Sequence, residues 1–521
     1  AVYPALRVVA VEHHRRLSRA TGPRHLAGPA RMPEAPGVDS GRAEVAETHL
    51  SVVLLTGERA LKLPKPVRLA FVDQSTPALR RQACRRELEL NRRLAPDVYL
   101  GVLDVGRDGV AVDHLLEMRR LPAARRLATL ARDHHPDAAA EVRRVARRMA
   151  AFHAAADRSA PVVEAGAPAA VRRLWEDNLS EMASFVPSVL DGDTLAAVGR
   201  AALEYLDGRQ GLLEHRQAAG LIVDGHGDLL AEDIFCLPDG PRILDCLAFD
   251  DRLRHGDVLL DMAFLAMDLE ALGRADLAVR LLQDYREFSD EHHPASLAHH
   301  YIAYRALVRA KVACIQVEVA GDAAVARARA RLDLAHRHLG EGRVRLVMVG
   351  GAPGTGKTTL AEGLGDRTGW AVLGSDELRK DLAGLGHAQS AAAPFGEGIY
   401  APTMTRAVYR ALLEQAGGLL AAGESVVLDA SWTSAGSRAA ARTLARDHHA
   451  EVRELRCTAS PAAVASRVEA RSRAGVGASD ADREVAAQLA ARQDPWPEAV
   501  ELDSNRGIEV TLATARAALD L

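Results

Sequence analysis

Residues Gly351-Ala352-Pro353-Gly354-Thr355-Gly356-Lys357-Thr358 match the spacing G-x-x-x-x-G-K-[ST], between the apolar run Leu346–Val349 and a helix-forming stretch from Thr359. That order predicts strand, loop and helix. Glycines let backbone N–H groups converge on an anion, and the helix that follows turns its positive end toward the same point. The chemistry is phosphate binding, with Gly351, Gly354 and Gly356 shaping the cradle of a nucleoside triphosphate such as ATP. Lys357 would meet the β- and γ-phosphates, Thr358 would ligate Mg²⁺, and Thr359 is counted with the phosphate-binding residues.

Three further groups in this half of the chain carry functional types. Asp376 and Arg379, in Ser375-Asp376-Glu377-Leu378-Arg379-Lys380, follow the next apolar stretch. Asp376 could take the proton of an attacking hydroxyl and Arg379 could hold the acceptor; Ser375 and Asp376 equally suit a helix N-cap. Asp429 closes Val426-Val427-Leu428, where it could order the metal or its water, and Ala430 stands where ATP-hydrolysing motors carry glutamate. Arg467 and Arg471 share a helix face, ahead of Arg473 and Gly475-Val476-Gly477. They could close over the phosphates, or form a solvated face.

A second constellation lies upstream, in His226-Gly227-Asp228 with Asp233 five residues on, then Arg242-Ile243-Leu244-Asp245-Cys246. A base, a metal ligand five residues later and another aspartate after a hairpin-sized gap is phosphotransferase geometry, in which Asp228 is the catalytic base and Asp233 and Asp245 hold Mg²⁺. Gly256-Asp257 and Asp261 continue the pattern.

Of 66 basic residues only Lys62, Lys65, Lys311, Lys357 and Lys380 are lysine; the rest are arginine. A compact ammonium retained against such a bias suits a phosphate cluster. The net charge of −4 and 4% aromatic content favour neither nucleic acid nor an anionic membrane as partner. Five scattered cysteines without a Cys-x-x-Cys pair suit a reducing cytoplasm and argue against structural zinc. No apolar run approaches the roughly 18 residues of a membrane span.

At 521 residues the chain exceeds one ordinary core. Residues 1–40, Gly/Pro-rich from Gly22 to Gly37, read as a flexible extension. A hairpin is expected at 50–63, a helix at 76–94, a strand at 110–118 and helices over most of 137–220 and 257–340. After 340, strands at 344–349, 370–373, 425–428 and 452–455 alternate with helices, as in a doubly wound parallel sheet. The expected domains are therefore 41–340 and 341–521, in an α/β and α+β multidomain chain.

The C-terminal module resembles small P-loop kinases of the gluconate kinase, polynucleotide kinase and zeta-toxin type. The central module resembles the aminoglycoside phosphotransferase family, whose fold is protein-kinase-like. In that resemblance Lys62 grips the α- and β-phosphates, Glu87 is its ion-pair partner with Glu89 second, and Glu117 to Arg119 form the adenine hinge. The chain departs in carrying Asp233 for the family's asparagine, Leu230 for a common histidine, and a poor phosphate-covering loop at Thr56–Arg59. The order of the modules, with Tyr304–Val312, is similar to bifunctional aminoglycoside phosphotransferase/ATP-binding proteins. Lys311 would face the acceptor pocket or lie on an exposed helix face.

The expected function is ATP- and Mg²⁺-dependent phosphoryl transfer at two sites to small-molecule hydroxyl acceptors. One alternative is a regulatory protein whose pseudokinase-like central module senses a small molecule and gates the P-loop module; another is a nucleic-acid end kinase. The identity of the acceptor and the oligomeric state are not encoded in these motifs.

Overall fold

The computed structural model describes residues 44–47, 50–68, 72–107, 110–386, 398–474 and 493–521. The 1–40 extension and Gly475-Val476-Gly477 lie outside them. The chain divides into two compact units, one of the described residues up to Ala156 with Asp224–His255 and Asp268–Ser289, the other of Asp157–Val223, Gly256–Met267 and Asp290–Leu521.

In the first unit the expected hairpin forms as β2 (Ser51–Thr56) and β3 (Arg59–Pro64), with Gly57 at φ 49° in the turn. It joins a five-stranded antiparallel sheet with β1 (Glu44–Glu47), β4 (Tyr99–Arg107) and β5 (Val110–Arg119), in the order β1-β2-β3-β5-β4. The sequence reading had neither β1 nor β4. β4 runs Tyr99-Leu100-Gly101-Val102-Leu103-Asp104, where Gly101 weakens the strand pattern and coincides with a register shift against β5.

The helix Pro77–Asn91 starts where Thr76 caps it, the hydroxyl accepting from the Leu79 N–H, with proline at its first position. Its Cys84 packs with Ala95, Val98, Tyr99, Leu116, Phe235 and Leu244. This core holds the helix, the sheet and the later hairpin of β7 (Ile234–Leu237) and β8 (Gly240–Ile243) together. Two three-residue strands, β6 (Ile222–Asp224) and β9 (His255–Asp257), precede and follow that hairpin in the chain.

In the second unit the strands are β10 (Arg345–Gly350), β11 (Ala371–Gly374), β12 (Val426–Asp429), β13 (Glu451–Thr458) and β14 (Val500–Asp503). They form a wholly parallel sheet in the order β11-β12-β10-β13-β14. β14, Val-Glu-Leu-Asp, is a fifth strand beyond the four expected. Only Leu502 of its four residues is buried, so its sequence lacks the continuous apolar run of an inner strand. β10 is buried along its whole length, and Val347, Val349, Leu360, Leu364, Leu455 and Leu512 join sheet to helices.

The same unit contains the long helices Ala295–Ile315 and Val317–Glu341, which precede β10. A tight joint links its helical part to the parallel-sheet part. Arg209, 1% exposed, donates from Nη1 to the Gly208 carbonyl at 2.8 Å and to the His448 carbonyl at 2.6 Å. A Cβ on Gly208 would lie 2.5 Å from that His448 oxygen. Gly208→Ala is therefore expected to destabilise the chain by about 1–3 kcal/mol through overpacking. Gly211→Ala, where nothing lies within 4 Å, is expected not to. Thermal unfolding of the two variants beside the wild type checks this, and equal midpoints for the pair would refute it.

Candidate active sites

β10 runs buried to its end and delivers the glycine loop to the C-terminal edge of the parallel sheet, where ligands of such sheets bind. The loop needs its glycines. Gly351 sits at φ +143°, where a Cβ would lie 2.6 Å from Thr355 Oγ1 and 2.7 Å from the Cys457 carbonyl oxygen. Gly354 and Gly356 are left-handed at φ 83° and 87°. The helix Lys357–Thr368 begins from Gly356, a cap with no side chain to engage the first-turn N–H groups, which are the donors an anion takes up at a helix N-terminus. Lys357 is buried, and Thr359 is exposed on the first turn.

Thr358 Oγ1 donates to Asp429 Oδ2 at 2.6 Å. The other oxygen, Asp429 Oδ1, is buried with no hydrogen-bond partner among the described residues. Burial raises the Asp429 carboxyl above its ordinary range; Lys357 and the Thr358 hydroxyl oppose the shift, and Asp376 and Glu377 add to it. A hydroxyl beside a half-satisfied buried carboxylate is a donor set for a hard cation, so the residues present fit Mg²⁺.

Asp376 reaches this region because β11 pairs with β12 so that Gly374 lies beside Asp429. The N-cap of the helix Ser375–Leu382 is Gly374, with no side-chain cap bond, so neither Ser375 nor Asp376 serves as its cap. Arg379 is buried and directed at the 398–405 segment, its Nη1 donating to the Ile399 carbonyl at 3.0 Å and its guanidinium 5.1 Å from the centre of the Tyr400 ring. Arg467 reaches the phosphate loop, with Nη1 at 3.4 Å from the Gly354 carbonyl and 2.8 Å from Ser504 Oγ. The Arg471 side chain lies outside the described residues.

In the first unit, Lys62 Nζ pairs with both Glu87 Oε1 and Asp245 Oδ1 at 2.8 Å. Burial works against the Lys62 charge, yet Asp245 and Glu87 outweigh it and raise the ammonium well above the usual lysine range. Asp245 is lowered by Lys62, and Glu87 is raised by burial against that same lysine. Glu89 pairs instead with Arg86. Asp245 itself has φ +62°, a left-handed conformation tolerated by aspartate, and its N–H donates to the Tyr99 hydroxyl at 3.2 Å.

Asp233 ends a short 3-10 turn, Ala231–Asp233, ahead of β7. Burial raises its carboxyl well above the ordinary range, and Asp245 and Asp228 push it the same way. Asp228 follows Gly227, at φ +84°, where a Cβ would meet Arg254 Cγ at 3.0 Å. His226 is buried, with Nε2 3.1 Å from the Leu244 carbonyl and Nδ1 accepting from the Asp228 N–H at 3.4 Å. A buried Asp233 pressed by Asp245 and Asp228, with Lys62 opposing, also fits Mg²⁺ by the chemistry of the donor set.

Asp257 is held elsewhere, by buried Arg216, which also pairs with Glu291 at 2.6 Å. Lys311 pairs with Glu181 at 3.1 Å. Four contributors escaped the sequence reading: Tyr99, Tyr409, Ser504 and Arg93. Tyr409 accepts from the Trp432 N–H at 3.1 Å beside Ser431. Arg93 donates to the Gly225 carbonyl at 2.9 Å and to Cys246 Sγ at 3.1 Å, tying the two aspartate-bearing loops together. Lone tyrosines, serines and arginines carry no motif that could have marked them.

Residues 346–496 match the AAA_33 family model, an AAA domain. Among solved structures, a choline/ethanolamine kinase family protein from Mesorhizobium loti is similar at 17% identity and TM-score 0.39, over 58% of this chain and 88% of that one. A gluconokinase from Sinorhizobium meliloti 1021 is similar at 16% identity and TM-score 0.25, over 34% of this chain and 92% of that one. "Uncharacterized protein Rv2004c" of Mycobacterium tuberculosis H37Rv is 42% identical over 475 residues, 90% of this chain and 94% of the relative. Likeness of that depth over both modules is family membership, and the chain belongs to the family of this mycobacterial protein.

Proposed function

We propose that the chain is a cytoplasmic ATP-dependent phosphotransferase with two sites, each transferring a γ-phosphate to a small-molecule hydroxyl. The observation that supports this most is the 2.6 Å bond between Thr358 and Asp429 beneath a glycine loop that Arg467 touches. Thr358 and Asp429 would hold Mg²⁺ in the P-loop module, and Asp233 and Asp245 in the central one. The ion would neutralise charge that develops on the transferred phosphate. Lys357 and Lys62 would hold phosphates while Asp376 and Asp228 accept the acceptor's proton, with Arg379 ordering the acceptor side through the 398–405 segment.

The second reading, a central module that senses a small molecule and gates the other site, is favoured by Asp233. An added carboxylate beside Asp228 and Asp245 opposes phosphate binding. Equilibrium binding of ATP with Mg²⁺ to the full chain separates the two. Two equivalents, reduced to one by Lys62→Ala and to one by Lys357→Ala, are expected of two kinases; a single equivalent untouched by Lys62→Ala would favour gating.

In a screen of labelled ATP against aminosugars, aminoglycosides, nucleosides and nucleic acid ends, Lys357→Ala is expected to lower one transfer reaction by about 10² or more. Asp228→Ala is expected to silence the other. Unchanged turnover in both variants would sink the two-site proposal, and labelling of 5′ ends alone would favour the end-kinase alternative.

Asp233 also predicts a pH dependence. Its folded-state carboxyl is raised, so below about pH 4 it is neutral in both folded and unfolded chains and costs nothing. As pH rises above that value the unfolded chain ionises first, and stability is lost until pH passes the folded value. Asp233→Asn is therefore expected to unfold at the wild-type temperature near pH 4 and at a higher one near pH 8. A difference independent of pH in nucleotide-free thermal melts would refute the assignment.

A further inference from the structure

Outside both sites, two histidines and a glutamate converge in the second unit where the paired long helices meet the strand that feeds the phosphate loop. His299 lies on the helix Ala295–Ile315, and His338 and Glu341 lie on the last turn of Val317–Glu341. Their donor atoms form a triangle. His299 Nδ1 is 2.9 Å from His338 Nδ1, Glu341 Oε2 is 3.7 Å from His299 Nδ1, and Glu341 Oε2 is 4.0 Å from His338 Nδ1.

A point equidistant from three atoms so spaced lies about 2.1 Å from each, which is the length of a Zn–N or Zn–O bond. His338 is 2% exposed, His299 is half-buried, and Glu341 opens to solvent, so the point has a buried floor and an entry path. Arg337 donates to both Glu341 oxygens, at 3.1 and 3.2 Å, and so orients the carboxylate from outside, as outer partners of metal ligands do. The chain passes close above. The Gly342 N–H donates to the His338 carbonyl at 2.8 Å, and a Cβ on Gly342 would lie 2.6 Å from His299 Cβ.

We propose that His299, His338 and Glu341 bind a divalent first-row transition cation of the Zn²⁺ type, with water completing the shell. Two imidazoles select such a cation over Mg²⁺ or Ca²⁺, which take oxygen ligands. The cation ties the two long helices to each other at the turn from which the chain enters β10. It is a site separate from the Mg²⁺ chemistry of either active site, and its imidazole and carboxylate donors lie outside the cysteine pattern on which the sequence argued against structural zinc.

The test is a chelator-buffered titration of the full chain with Zn²⁺ alone, with Co²⁺ absorption as a spectroscopic readout. The wild type is expected to take up one equivalent with the spectrum of a nitrogen-and-oxygen site and to unfold at a higher temperature when loaded. His299→Gln and Glu341→Gln are each expected to weaken that binding about tenfold or more and to abolish the thermal shift. Neither variant is expected to alter ATP binding at the phosphate loop. Glu341 is exposed, so Glu341→Gln leaves a folded chain in which a loss of metal binding is interpretable. Zn²⁺ binding of equal stoichiometry and affinity in wild type and both variants, or none in the wild type, would overturn the proposal.

Discussion

Excess carboxylate around a single ammonium is the constraint on which both sites depend. At the phosphate loop the Asp429 carboxyl feels Asp376 and Glu377, with Lys357 opposing them. In the first unit Asp228 and Asp245 press on Asp233 while Lys62 is shared between Glu87 and Asp245. Carboxylates so gathered are stable only if some are protonated or a cation joins them. A cation bound among them would relieve that repulsion.

Arginine does most of the positioning of carbonyls and carboxylates. Arg93 and Arg254 both grip Asp224, and from there reach the Gly225 and Leu247 carbonyls. Arg438 bridges the Trp432 and Pro495 carbonyls beside the phosphate-loop sheet. The planar fork of a guanidinium holds two acceptors at fixed angles, which a rotating ammonium cannot. Of the five lysines, Lys62 and Lys357 lie within the candidate sites, while Lys65 and Lys311 make ordinary pairs with Glu47 and Glu181. Lys380 is buried, which composition alone did not suggest.

What was readable in advance was local. The phosphate loop, the β2–β3 hairpin and the capped helix at Thr76 each rest on residues within a few positions of one another. Of the strands missed, β1, β4 and β14 are edge strands, β4 with one face on the core, while β6 to β9 are only three or four residues long, too short for a pattern to show. Edge strands lack a second buried face and so carry a weak apolar signature. The N-cap reading of Ser375 and Asp376 failed for a related reason. Where β11 ends depends on its pairing with β12, and that pairing put Gly374 at the cap.

The amino-acid sequence by itself determined the glycine-rich loop at Gly351–Thr358 between a strand and a helix and marked aspartates at 228, 233 and 245 as one constellation, because glycine conformation and motif spacing are properties of short segments. Only the tertiary structure decided which acids share a lysine, that Asp429 meets Thr358, that Tyr99 and Arg93 support Asp245 and its neighbours, and that His299 meets His338 and Glu341. These contacts join residues tens to more than a hundred positions apart. Their partners are selected by packing and by the field of the folded chain, neither of which any short segment contains.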